Sequence, residues 1–209
     1  ISITDAAYTP HFARNTGSDQ GTAVFAQGSW TYSAPSGYSA LTSTVTGTGN
    51  IATWNPLDAG SGVTLANGNR NLSFSSSSNA VVRSTHGVSS GKWYWEIRIT
   101  GSAGSSNAYV GILKSERDLL LISNQIGDSS SDAGGWAYKG LDGNKANNGS
   151  ASSYGSSYSD GDVIGVALDM DNGKIWFAKN GTWQASGDPD GGSNEAFSSI
   201  TGVVSPAYA

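Results

Sequence analysis

The run "VIGVALDMDNGKIWFAKNG", residues 163–181, allows few local structures. Apolar side chains alternate along it, and its two halves each end on Asn-Gly, at Asn172-Gly173 and Asn180-Gly181. Both residues of that pair tolerate positive φ, which makes it the strongest short-range hairpin signal. The spacing predicts antiparallel strands near 163–170 and 174–179. In the second of these, Ile175 and Phe177 share one face and Trp176 and Ala178 the other, because side chains alternate along a strand.

The same period recurs in "TAVFAQ", "WTYS" and "WYWEIRI", each bounded by Gly, Asn, Ser or Asp. Short alternating runs separated by turn residues predict an all-β sandwich, and 209 residues suffice for one large domain of that kind. One stretch interrupts the pattern. "LKSERDLLLIS", from Leu113, places charges before a leucine run and reads either as a short helix or turn or as an irregular loop. Ser- and Gly-rich segments at 101–108, 127–135 and 141–160 are too long for tight turns. Loops of this size on a rigid scaffold are where binding usually resides.

Charge narrows the function classes. Charged residues make up 13% of the chain, about half the ~25% usual for a soluble domain. The net charge of −5 and the scatter of the eleven basic residues argue against nucleic acid as a partner, which calls for clustered Lys and Arg. No apolar stretch approaches the ~18 residues of a membrane span, so no membrane insertion is expected. Cysteine is absent, which excludes disulfides, thiolate nucleophiles and zinc–sulfur sites.

Five phrases carry a resemblance. "GVSSGKWYWEIRI" at 87–99, "AYVGIL" at 108–113, "GGWAYKGLDGNK" at 134–145, "YSDGDVIGVALDMDNGKIWFAKNG" at 158–181 and "AFSSITGVVSPAYA" at 196–209 resemble, in order, the SPRY domain. The resemblance implies a bent antiparallel β-sandwich of the concanavalin-like kind and a non-catalytic interaction module. "TWNPLDAGSGVTLANGN" and "NGTWQASGDPDGG" are further similar to SPRY modules of bacteriophage and prophage structural and tail-fibre proteins. In those modules the last phrase continues into a strand and a tail similar to "VFAQGSWTYSAPSGYSAL", which here occupies residues 24–41, ahead of the domain.

An internal echo fits that displacement. Ser2, Ile3 and Thr4 match Ser199, Ile200 and Thr201, while Pro10, Phe12 and Ala13 match Pro206, Tyr208 and Ala209. Residues 1–43 thus resemble the end of a SPRY module and 44–209 a module without its end. Four arrangements account for this: one window on a tandem array, a permuted chain that completes itself, an N-terminal strand donated to a neighbouring copy, or a fragment boundary. An unfilled strand slot exposes unpaired main-chain groups, so each functional arrangement needs an occupant. Val24, Phe25, Trp30 and Tyr32 are the candidate contacts to a neighbouring subunit or module.

Catalytic chemistry finds little support. The two histidines, His11 and His86, have no nucleophile elbow beside them. The pairs Asp160/Asp162 and Asp169/Asp171 fall at a strand entry and a hairpin turn, and Glu96 is expected to face solvent or to pair with Arg98 or a cross-strand base. "DMDNG" begins like an EF-hand loop but has Asn180 where the closing Glu belongs. "DPDGGSNE" offers Asp188, Asp190 and Glu195 as a candidate Ca²⁺ site; otherwise no cofactor is implied.

Seven tryptophans with few charged neighbours also raise carbohydrate binding. Trp93 and Trp95 share a strand face and read as core, with Trp176 and Trp183 as core or sheet rim. Trp136, Tyr138 and Tyr154 are the candidates for a ligand face. The leading expectation is a non-enzymatic structural or adhesion module on a virion or extracellular surface. It assembles with copies of itself or neighbouring modules and touches a host-surface protein or glycan. The alternative is a soluble lectin-like module that completes its own sandwich.

Overall fold

A computed structural model describes residues 20–25, 30–43, 50–75, 80–100, 108–116, 126–128 and 134–209. The strands are β1 (Gln20–Val24), β2 (Ser39–Ala40), β3 (Thr42–Ser43), β4 (Asn50–Ile51), β5 (Trp54–Ala59), β6 (Val63–Ala66), β7 (Asn71–Phe74), β8 (Val82–Ser84) and β9 (Lys92–Thr100). There follow β10 (Tyr109–Lys114), β11 (Gly135–Lys139), β12 (Asn144–Asn147), β13 (Ser150–Ser153), β14 (Val163–Asp169), β15 (Lys174–Lys179), β16 (Thr182–Trp183) and β17 (Val204–Tyr208). A single 3-10 turn at Gln184–Ser186 is the helical content among the described residues.

Two sheets pack face to face. The first has the order β16-β15-β14-β9-β1-β7-β6, with β2 also beside β9; the second runs β13-β12-β11-β10-β17-β8-β5. Inward-facing Trp95, Ile97, Ile99, Ile164, Val166, Leu168, Ile175 and Phe177 meet Trp54, Val82, Val110, Ile112, Tyr138 and Tyr208 in one core. The all-β sandwich expected from the alternating runs is the fold observed.

The predicted hairpin forms, with Ile164 to Asp169 paired antiparallel to Lys179 to Lys174. Its turn differs from a tight Asn-Gly turn: four residues, 170–173, join the strands, and Asp169 accepts the main-chain N–H groups of Asp171 and Asn172. Asn180-Gly181 does make a two-residue turn, with φ of 49° and 78°, and Asn180 Oδ1 accepts the Val163 N–H at 2.9 Å.

The segment expected as a loop at 141–160 contains instead the hairpin β12–β13, closed by Asn148-Gly149 at φ of 50° and 75°. Its strands, "NKAN" and "SASS", carry one buried residue, Ala146, so their alternation is nearly invisible in composition. The candidate helix also resolves differently at its start: Leu113 and Lys114 end β10 and a turn follows at 115–116, while 117–125 lie outside the described residues. Most of 101–108 and residues 129–133 of the 127–135 segment lie outside them too.

Candidate interaction surface

Every residue of β14 is buried, although a strand covered on one face alone should alternate. The cause is a second layer. After β1, which pairs antiparallel with β9 from Glu96 to Thr100 and with β7 on its other side, the chain returns over the outer face of the first sheet. Trp30, Ala34 and Tyr38 pack there on Tyr94, Ala167, Trp176 and Trp183, and β2 then lies parallel to β9 at Trp93 and Tyr94. Residues 30–40 therefore form a strap across the sheet.

Glu96 is the polar centre of this contact. It is 1% exposed, and its carboxylate accepts the main-chain N–H groups of Thr31 at 2.6 Å and Tyr32 at 2.8 Å and the Tyr94 hydroxyl at 3.0 Å. Burial drives the Tyr94 hydroxyl far above the ordinary tyrosine range, and the neighbouring Glu96 charge and hydrogen bond add to the shift. Gly165 stands opposite Glu96 in β14, and a Cβ there would fall 2.7 Å from the Tyr94 hydroxyl, so its missing side chain makes room for the pair. The expectation that Glu96 faces solvent or pairs with Arg98 is thus corrected: Arg98 is exposed, while Glu96 is sealed by the strap. A carboxylate between Trp95 and Ile97 on a strand with apolar outer neighbours was the available signal.

Aromatic contacts hold the strap. Trp30 meets Tyr94 edge-on at 5.0 Å, and Tyr32 lies against Gly181, where a Cβ would come within 2.6 Å of its ring. Lys92 sits 5.5 Å from the Tyr38 ring centroid, and Asp190 accepts the Ser36 N–H at 2.6 Å. Of the expected subunit contacts, Phe25 is 2% exposed and meets Trp54 edge-on in the core, and Val24 lies on β1 in register with Glu96. Phe25, Trp30 and Tyr32 all pack within their own chain.

The expected ligand face is not open. Tyr138 is fully buried and Tyr154 is 8% exposed; they meet edge-on at 5.6 Å, and Phe177 packs on both. Tyr138 donates its hydroxyl to the Ser156 carbonyl, and burial raises its pKa well beyond the usual range. Strand alternation explains the correction, since Trp136 and Tyr138 both point inward and Trp136 alone stays partly exposed at the rim.

The candidate Ca²⁺ site is corrected as well. Asp188 accepts the Gly191 N–H, Asp190 holds Ser36 and Glu195 pairs with Lys174 at 3.4 Å, so the three carboxylates serve separate partners. Among the described residues no three His, Asp or Glu side chains are grouped to hold a metal ion. His86 lies beside Thr85, Nδ1 to Oγ1 at 3.0 Å, with burial lowering its pKa; His11 lies outside the described residues.

Two packed antiparallel sheets with almost no helix define a concanavalin-like β-sandwich. The SPRY domain profile matches residues 92–206, more than half of the chain, and the protein belongs to the SPRY domain family. Its fold is similar to the crystal structure of the SPRY domain of human HERC1, with 24% identity and a TM-score of 0.57 over 74% of this chain and 87% of that one. No curated protein sequence matches the chain. Family membership points to a protein-interaction module rather than a catalyst. The matched span starts at Lys92, so the strap and β1 lie outside it.

Proposed function

We propose that this chain is a non-enzymatic structural and adhesion module of a virion-like or extracellular surface assembly, joined to copies of itself or neighbouring modules by strand complementation. Its loops would meet a host-surface protein or a glycan. The observation carrying this reading is the way β1 and β2 share one edge of β9 through main-chain pairing, a joint that a second chain can make equally well. The similarity of "TWNPLDAGSGVTLANGN" and the 24–41 phrase to phage-type modules supports the surface setting. If the joint is made head to tail, it need not close, and a filament results.

A light-scattering dilution series on the full chain tests the assembly. Mass that rises with concentration supports the reading, and a monomer at every concentration overturns it in favour of the soluble lectin-like alternative. The pairing of β1 with β7 and β9 of its own chain favours that alternative, under which glycan binding centres on the partly exposed Trp136 rather than on the buried Tyr138 and Tyr154. A glycan panel read with Trp136→Ala decides it.

A further inference from the structure

We infer that the outer face of the first sheet around Glu96 is a receptor groove for an extended segment, and that its occupant in an assembly is residues 30–40 of a second copy of this chain. This rests on the assembly reading above and names the site at which that assembly forms.

The groove is formed by strands that lie outside the strap. Its floor is Tyr94, Ala167 and Trp176, with Trp183 beside it, all on β9, β14, β15 and β16, which pair with one another independently of the strap. At its centre stands the Glu96 carboxylate, for which no ion pair to Lys or Arg occurs among the described residues. A buried carboxylate without a cation needs hydrogen-bond donors. Tyr94 supplies one, and two consecutive main-chain N–H groups of the strap supply the others. Any extended chain can present such groups. Selectivity comes from the aromatic seats, Trp30 on Tyr94 and Tyr32 over Gly181, and from the Ser36 N–H held by Asp190. The segment that fits all of these at once is the strap itself.

Exchange needs a single crossing. β1, the strap with β2, and β3 follow one another ahead of β4 in the chain, so they can pass to a neighbour together and remake the same contacts. Within one chain the strap competes at an effective concentration of about millimolar, which keeps the joint intramolecular in dilute solution. Exchange therefore takes over as chains are crowded.

The chain has no cysteine, so engineered thiols are unambiguous. One full-length preparation carries Ser33→Cys, a second carries Thr182→Cys, both at exposed positions beside the contact of Tyr32 with Gly181, and the two are mixed from micromolar to millimolar concentration and treated with a short bis-maleimide. Heterodimer above the collision background requires the strap of one chain in the groove of the other. The inference expects heterodimer yield to rise with concentration, to fall at least fivefold with excess synthetic peptide of residues 20–43, and to exceed fivefold that of a collision control pairing Ser33→Cys with Ser152→Cys. No heterodimer above the control, or a yield unmoved by the peptide, overturns it. If light scattering shows assembly without heterodimer, the groove inference fails and the assembly reading stands. Heterodimer limited to closed pairs keeps the groove and removes the filament.

Discussion

The main-chain N–H of Thr31 donates to Oε2 of Glu96 at 2.6 Å, across a separation of 65 residues in the chain. With the Tyr32 N–H on Oε1 at 2.8 Å, it turns a buried charge into the anchor of a segment that lies outside the matched family span.

Replacing Glu96 with Ala removes the acceptor of two part-buried main-chain donors and of the buried Tyr94 hydroxyl, and a buried donor left unsatisfied costs about 1–3 kcal/mol. Urea denaturation of Glu96→Ala is expected to show a loss of about 2–4 kcal/mol. Arg98→Ala, two residues along at an exposed position, changes stability by less than about 0.5 kcal/mol. Equal effects for the two would refute the anchoring role.

Tyr138 behaves as core. Tyr138→Ala is expected to cost about 3–5 kcal/mol, in the range for removing a buried aromatic ring. Tyr138→Phe, which removes the hydroxyl donated to Ser156, costs about 1 kcal/mol. Leu141→Ala, at a residue 51% exposed, stays within about 0.5 kcal/mol. Thermal melts of the three rank them, and a stable Tyr138→Ala would return the ring to the list of ligand contacts.

Acid weakens the fold through Asp162 and Asp169. Burial alone would raise both pKa values, but it is outweighed at Asp162 by the Ser159 N–H, the Asn180 amide and Lys179, and at Asp169 by Asn172 and Lys92, so both end below the ordinary carboxylate value. A carboxyl lowered on folding contributes stability above its unfolded pKa of about 4, and that contribution is lost as pH falls through the lowered value. Denaturation midpoints should decline below about pH 4, and less steeply in Asp162→Asn and Asp169→Asn. Unchanged acid limbs in both variants would contradict this.

Alkali acts through the tyrosines. Burial raises the hydroxyls of Tyr38, Tyr94, Tyr109, Tyr138, Tyr154 and Tyr158, with Tyr154 pushed up to about 12 against a hydrogen bond from the Phe177 N–H that pulls it down. A raised pKa means stability that is complete below the unfolded value of about 10 and is lost as pH climbs past it. Phenolate absorbance is expected to lag behind that of a denatured sample near pH 10 and to appear together with loss of near-UV circular dichroism. Full titration near pH 10 in a folded chain would show the rings to be open to water.

The alternating runs and the Asn-Gly pairs determined the sandwich and the β14–β15 pairing, because strand periodicity and turn chemistry are local and are written in neighbouring residues. The inward side chains of Trp95, Ile175 and Phe177 followed from the same alternation. Polar β12 and β13 stayed hidden, since strands held by main-chain pairing need little apolar content to form. What the tertiary structure alone decided is the second face. Tyr94 and Glu96 sit on the face opposite Trp95, which alternation assigns to solvent, and they are buried because residues 30–40 return across them. Burial at such a position is a property of two segments that meet in space, and the carboxylate set between Trp95 and Ile97 is the one local sign of it.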